Sequence, residues 1–139
     1  MSDNKAAMRR IYEEVFSRGD LAVVDELIAD DFIEHEELPP GIPPGKEAPR
    51  AQVTMMRVAF PDFHARVEEL LEDGDKVIAR ARFSGTHQGE FMGIPATGKR
   101  FDIAVIDIIE FREGKGVAHW GIMDTAGMME QLGVGGPPA

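Results

Sequence analysis

The sequence predicts an α+β domain. Two observations carry that prediction: apolar residues keep helical spacing up to Phe60, and from Phe63 onward apolar and polar residues alternate with period two between turn signals. No internal period of the kind that builds solenoids or propellers is present, which leaves helices packed on one face of an antiparallel meander. Over residues 4–16, Ala7, Met8, Ile11, Tyr12, Val15 and Phe16 recur at three- and four-residue steps. They mark a first amphipathic helix, capped at Ser2 or Asp3 and stopped at Gly19. Leu21, Val24, Leu27 and Ile28 repeat the spacing in a second, shorter helix that follows Asp20, with Asp30 and Asp31 beyond its end. Residues 38–45 carry four prolines and two glycines, which forbid a regular helix or a central strand and predict a stiff loop at a pocket rim. A third helix covers 46–60, with Pro49 in its first turn and Pro61 ending it.

The second half reads as strands over 63–71, 76–87, 100–111 and 117–123. A glycine-rich loop over 88–98 interrupts them, and the turn Arg112-Glu113-Gly114-Lys115 closes the last hairpin. Asp124 is placed to cap a final short helix over Met128, Met129 and Leu132, and 133–139 has no capacity for order on its own. A strongly curved sheet wrapped on three N-terminal helices leaves an apolar pocket between the layers.

At 139 residues, 43% hydrophobic and 29% charged, the chain fits one folded domain over 1–139. The absence of cysteine excludes disulfides, thiolate nucleophiles, iron–sulfur ligation and Cys-based zinc sites. A net charge of −10 repels a phosphate backbone, so no nucleic-acid partner is expected. No apolar run approaches the ~18 residues of a membrane span. Met1-Ser2-Asp3-Asn4-Lys5 does not read as a secretory signal, so a cytoplasmic protein without membrane association is expected. No phosphate loop, Ser-His-Asp series or metal motif suggests a cofactor, and neither cofactor nor metal is expected.

Strand parity is the sharpest guide to chemistry. Phe101, Ile103, Val105, Asp107, Ile109 and Phe111 share one face, which makes Asp107 a lone carboxylate in an apolar row. On the return strand Val117, His119, Gly121 and Met123 share a face. Pairing about the Glu113-Gly114 turn sets His119 opposite Ile108 or Ile109 and Asp107 near Trp120 or Gly121. A carboxylate in an apolar cleft and a histidine are a suitable pair for proton abstraction beside a carbonyl, or the Asp is a structural group held by hydrogen bonds. Tyr12, on the pocket side of the first helix, is a candidate hydrogen-bond donor to a ligand, with Asp25 a weaker candidate on the second. His87 is a candidate for the pocket mouth. His35, among Glu34, Glu36 and Glu37, reads as a solvated acidic loop, and His64 as an exposed strand residue. Met55, Phe91, Val105, Gly121 and Met123 complete the candidate lining; the thioethers suit an adaptable wall for a flat, hydrophobic, oxygenated molecule. On the outer face Ile106, Ile108 and Trp120 form an apolar set that predicts a homodimer.

Several stretches, in order, resemble the SnoaL-like polyketide cyclases of the NTF2-like superfamily. They are Tyr12-Glu13-Glu14-Val15-Phe16 with Arg18-Gly19-Asp20-Leu21, Ile28-Ala29-Asp30-Asp31-Phe32, Ala59-Phe60-Pro61-Asp62 and Gly85-Thr86-His87-Gln88-Gly89. Phe91-Met92-Gly93-Ile94-Pro95-Ala96-Thr97-Gly98, Gly114-Lys115 before His119-Trp120, and Met129-Glu130-Gln131-Leu132-Gly133 complete the set. The resemblance covers nearly the whole chain and implies a cone-shaped fold around one pocket. In aldol-type ester cyclases of this family it points to a His/Asp acid–base pair on the last two long strands. Laid on this sequence, the histidine position falls on Asp107 and the aspartate position on Gly121, while His119 matches a family histidine. The resemblance therefore implies either a rearranged Asp107/His119 pair in a cofactor-independent cyclase, isomerase or dehydratase, or a non-catalytic binding or assembly domain with the same cavity.

Overall fold

The structure, a computed structural model, describes residues 3–38 and 40–134; Ser2, Pro39 and the tail over 135–139 lie outside the described residues. Helix α1 (Asp3–Arg10) runs without a break into a π-helical segment, Ile11–Phe16. The wider winding shows in the Ser17 N–H, which donates to the Tyr12 carbonyl at 3.0 Å. Single π turns inside helices are frequent at functional sites, because the extra residue re-aims a side chain. Gly19 ends the run in the left-handed region, φ 72°, as its position predicts.

Helix α2 (Ala22–Leu27) gives way directly to strand β1 (Ile28–Glu34). This corrects the sequence reading, which continued the helix through Ile28 and assigned no strand. Asp30 and Asp31 are poor strand formers, and what makes 28–34 extended is the partner it finds. The remaining elements are α3 (Glu47–Ala59), β2 (His64–Asp73), β3 (Lys76–Thr86), β4 (Arg100–Arg112), β5 (Lys115–Met123) and α4 (Thr125–Gln131). The five strands stand in the order β1-β5-β4-β3-β2. Strand β1 lies parallel to β5, so the sheet is mixed rather than wholly antiparallel. Everything from α3 to β4 serves as the long connection that a parallel pair requires. Charged residues at the β1 edge discourage further strand pairing there.

Parity on β4 is as expected: Phe101, Ile103, Val105, Asp107, Ile109 and Phe111 are buried. Asp107 pairs with Gly121 and Ile109 with His119, until a bulge between Glu110 and Phe111 shifts the register by one. Bulges there and between Val67 and Glu69 bend the sheet onto the helices. Glu113 and Gly114, both at positive φ, make the tight β4–β5 turn. The core joins Met8, Val15, Val53 and Met56 of the helical layer to a cluster of Phe60, Phe63, Phe83 and Phe101. Asp124 caps α4 through the Gly127 N–H at 2.8 Å, and Gly133 and Val134, expected in the tail, instead close that helix with backbone bonds to Glu130 and Met129.

Arg57 fastens the helical layer to the sheet. Its Nη1 donates to the carbonyls of Ser17 at 2.7 Å, Phe63 at 3.3 Å and Phe16 at 3.4 Å, and its Nη2 to that of Pro61 at 3.3 Å. Charge-assisted bonds of this kind contribute about 1.5–3 kcal/mol, so Arg57→Ala is expected to destabilise the fold by about that amount. Denaturant unfolding within ~0.5 kcal/mol of the parent would show the clamp to be idle.

Candidate active site

Three strands deliver charged groups to one point. The β4–β5 ladder sets Asp107 opposite Gly121, and the parallel β1–β5 ladder sets Glu34 opposite His119. His119 Nε2 lies 2.8 Å from Asp107 Oδ1 and Nδ1 lies 2.5 Å from Glu34 Oε1, so the ring is held between two carboxylates. The Tyr12 hydroxyl, brought in by the π-helical segment, donates to the other Asp107 oxygen, Oδ2. Asp107 is 8% exposed and Tyr12 2%.

The ring's charge follows from these contacts. Burial opposes protonation of His119, but the hydrogen bonds and charges of Asp107 and Glu34 outweigh it and push the pKa up to about 10. Burial, followed by the charge and hydrogen bond of Asp107, holds the Tyr12 phenol well above its usual pKa, so it remains a donor. At neutral pH the site thus holds an imidazolium between two carboxylates, with a tyrosine bracing one of them. Glu36, just past β1, faces the same space; its Oε1 lies 4.0 Å from His119 Nε2. Burial raises its pKa to about 7, against the opposing charge of His119 and with Asp107 and Glu34 adding to the rise.

These groups form the floor of a narrow cavity of about 50 Å³, otherwise walled by apolar side chains including Met8, Ile11, Phe32, Phe83, Val105 and Ile109. It adjoins an open vestibule of about 500 Å³. Glu36, Gln52 and Met123 line both spaces, while Met55, Phe91, Gly121 and Leu38 line the vestibule. Leu38 brings the start of the proline-rich loop to the rim. The structure therefore brings Asp107, His119, Tyr12, Val105 and Met123 together in the inner cavity and puts Met55, Phe91 and Gly121 outside it.

His87 reaches neither space, contrary to its expected place at the mouth. It is fully buried, its Nδ1 is 3.0 Å from Thr97 Oγ1, and its ring packs on Phe60 and Phe91. It holds the 88–98 loop in place. Asp25 is also outside, paired with Arg50 and Lys46 at the surface. Glu34 and Glu36 are the residues that sequence reasoning missed. The run 34–37 read as a solvated acidic loop, and the signal that places it is the β1–β5 pairing, which no local pattern in 28–34 announces. His35 and Glu37 in that run are exposed, as the reading has it, and His35 stacks on Trp120 with centroids 4.7 Å apart.

Ligand atoms of Glu34, Glu36 and His119 lie within 4.8 Å of one another, as a metal site would require. Both ring nitrogens of His119 already meet carboxylates, so an imidazolium here has no lone pair to lend. The cluster reads more simply as a proton-holding network.

The arrangement of helices, mixed sheet and internal polar floor has close counterparts. The profile of the SnoaL-like polyketide cyclases matches residues 6–132. The chain belongs to the SnoaL-like polyketide cyclase family. It is 38% identical over 111 residues to the aklanonic acid methyl ester cyclase DauD of Streptomyces sp. (strain C5), a match covering 74% of this chain and 68% of that one. It is 32% identical over 120 residues to the nogalonic acid methyl ester cyclase of Streptomyces nogalater, covering 85% of this chain and 89% of that one. The structure of TsrD from Streptomyces laurentii superimposes with a TM-score of 0.84 at 30% identity, over 94% and 95% of the two chains. Asp107 and Gly121 face each other across the ladder, and His119 supplies the imidazole. No helix among the described residues is long and apolar enough to cross a membrane.

Proposed function

We propose that this chain closes a carbocyclic ring in a polyketide methyl ester by a cofactor-independent aldol reaction, with Asp107 and His119 as its acid–base unit. The observation that carries the reading is the Tyr12–Asp107–His119–Glu34 chain of hydrogen bonds at the end of an apolar cavity. An aldol closure needs a base for the proton on the carbon beside a carbonyl and an acid for the oxygen of the carbonyl attacked. The His119 imidazolium, steadied by Asp107, supplies positive charge and a proton where that oxygen becomes negative, in a largely buried site. Asp107 itself already accepts from both Tyr12 and His119, so its part is to hold and tune the acid rather than to meet the carbon. The relatives' substrates, aklanonic and nogalonic acid methyl esters, are the compounds to offer first. Conversion of either to a product of unchanged mass, without added metal or nucleotide, is the expected result. Binding with no conversion of either would instead support a non-catalytic ligand-binding domain.

The same reading includes a homodimer formed through the outer face of the sheet. Ile106 and Ile122 pair across β4 and β5 and are 50% and 80% exposed, beside the Ile108–Trp120 pair. Face-to-face packing of two such sheets removes this apolar area from water. Sedimentation at about 10 μM is expected to give twice the chain mass, and Ile122→Lys to give the monomer. A monomeric parent at that concentration excludes the interface.

A further inference from the structure

We propose that Glu36 is the catalytic base of this site, the carboxylate that takes the proton from the substrate carbon, and that Gly121 is glycine to make room for it beside Asp107. The proposal rests on the ring-closing reading above and assigns the group that reading leaves open. A Cβ built on Gly121 would stand 2.5 Å from Glu36 Oε1 and 2.9 Å from His119 Cε1, with Asp107 Oδ1 closer still. Any side chain there would displace the carboxylates of both Asp107 and Glu36. The φ of Gly121 is not in the left-handed region, so backbone conformation does not call for glycine; the space does.

Glu36 is also the one member of the cluster not already committed. Asp107 accepts from Tyr12 and His119, and Glu34 Oε1 meets His119 and the backbone N–H of Glu36. The Glu36 carboxylate has no hydrogen-bond partner among the described residues, although its side chain is only 14% exposed. It stands where inner cavity and vestibule meet, so a substrate spanning both passes it. The charged and titratable groups around it are Asp107 of β4, His119 of β5, Glu34 of β1 and Tyr12 of the π-helical segment; α3 presents the neutral Gln52. Burial and the neighbouring carboxylates raise its pKa to about 7, where a base is ionised at neutral pH and still holds a proton firmly.

The step balances without a co-reactant. Glu36 takes the proton from the carbon beside the ester carbonyl, and the C–H electron pair becomes the enolate. The enolate carbon forms the new bond to the ketone carbon, whose π pair moves to its oxygen. That oxygen takes the Nε2 proton of His119, whose hydrogen bond to Asp107 breaks as the proton leaves, and the proton on Glu36, whose Oε1 lies 4.0 Å from Nε2, passes back to that nitrogen to restore both groups. Substrate and product are isomers.

The test uses the full chain and aklanonic acid methyl ester. Glu36→Gln, which keeps shape and removes the base, is expected to lower kcat by roughly 10²–10⁴-fold with little change in KM. Glu36→Ala is expected to match it. Gly121→Asp is expected to impair turnover, since it collides with both Asp107 and Glu36. In the parent, ¹³C-carboxyl-labelled glutamate should show one resonance titrating near neutral pH that disappears in Glu36→Gln. Glu36→Gln turnover within ~3-fold of the parent, or no near-neutral glutamate titration, overturns the proposal and leaves the ring-closing reading intact. Loss of parental activity to a chelator and its return with a divalent cation also overturns it, since Glu36 is then a ligand. A parent that converts neither ester removes the ring-closing reading itself, and the proposal with it.

Discussion

Asp107→Asn is expected to fold and to turn over the methyl ester roughly 10²–10⁴-fold more slowly. The carboxylate accepts two hydrogen bonds at once, from the Tyr12 hydroxyl and from His119 Nε2. A carboxamide offers one acceptor oxygen and an NH₂ group, so one donor must face another. If the oxygen stays with Tyr12, the imidazolium loses its strongest neighbour and its pKa falls from about 10. The pH–rate profile of the parent should accordingly be a bell, rising through about 7 as Glu36 ionises and falling through about 10 as His119 loses its proton. Asp107→Asn should draw the alkaline limb to lower pH. A purely structural Asp107 would instead give a variant of lower thermal midpoint whose profile keeps its shape. Full turnover in Asp107→Asn would remove the pair from the mechanism.

His119→Ala should cause the largest loss of stability of any single change at the site, about 3–5 kcal/mol near pH 6. It removes the cation from a pocket that retains Asp107, Glu34 and Glu36. In the parent the His119 pKa is raised from 6.5 to about 10, so its stabilising contribution is whole below pH 6.5 and fades as pH climbs through 10. The variant lacks that contribution, so its deficit should be greatest below pH 6.5 and shrink as pH rises toward 10. Urea unfolding of parent and variant from about pH 6 to 10 measures the slope. A deficit independent of pH would mean that the ring contributes packing alone.

Much of the site was legible because strand parity is rigid. Asp107 in an apolar row, His119 and Gly121 on one face of the return strand, and the cross-strand pairing all follow from a period of two and one turn position. The acidic half was not legible. Glu34 and Glu36 reach the pocket because β1 lies against β5, a contact between residues about 85 positions apart in sequence for Glu34 and His119. Nothing local distinguishes 28–34 from the frayed end of a helix, and its aspartates argue against a strand. Likewise, helical spacing placed Tyr12 on the inner face, but the π winding that aims its hydroxyl at Asp107 is set by the packed state. His87 misled for a related reason: strand parity gave its side of the sheet correctly, while Phe60 and Phe91 seal that end of the layer.

The division of the interior into a tight end and a roomy antechamber separates two demands that usually compete. On the proposed reading only the reacting carbonyl and its neighbouring carbon must reach the tight end, whose walls are largely aromatic and branched and whose floor is charged. On that reading the distal part of a polyketide would rest among Met55, Met92 and Met129, side chains that reshape at little cost. Selection or engineering can therefore widen the range of distal ring substituents by changing the antechamber while the proton chemistry stays fixed, and a library confined to those three positions should alter which compounds are accepted far more than how fast the best of them reacts.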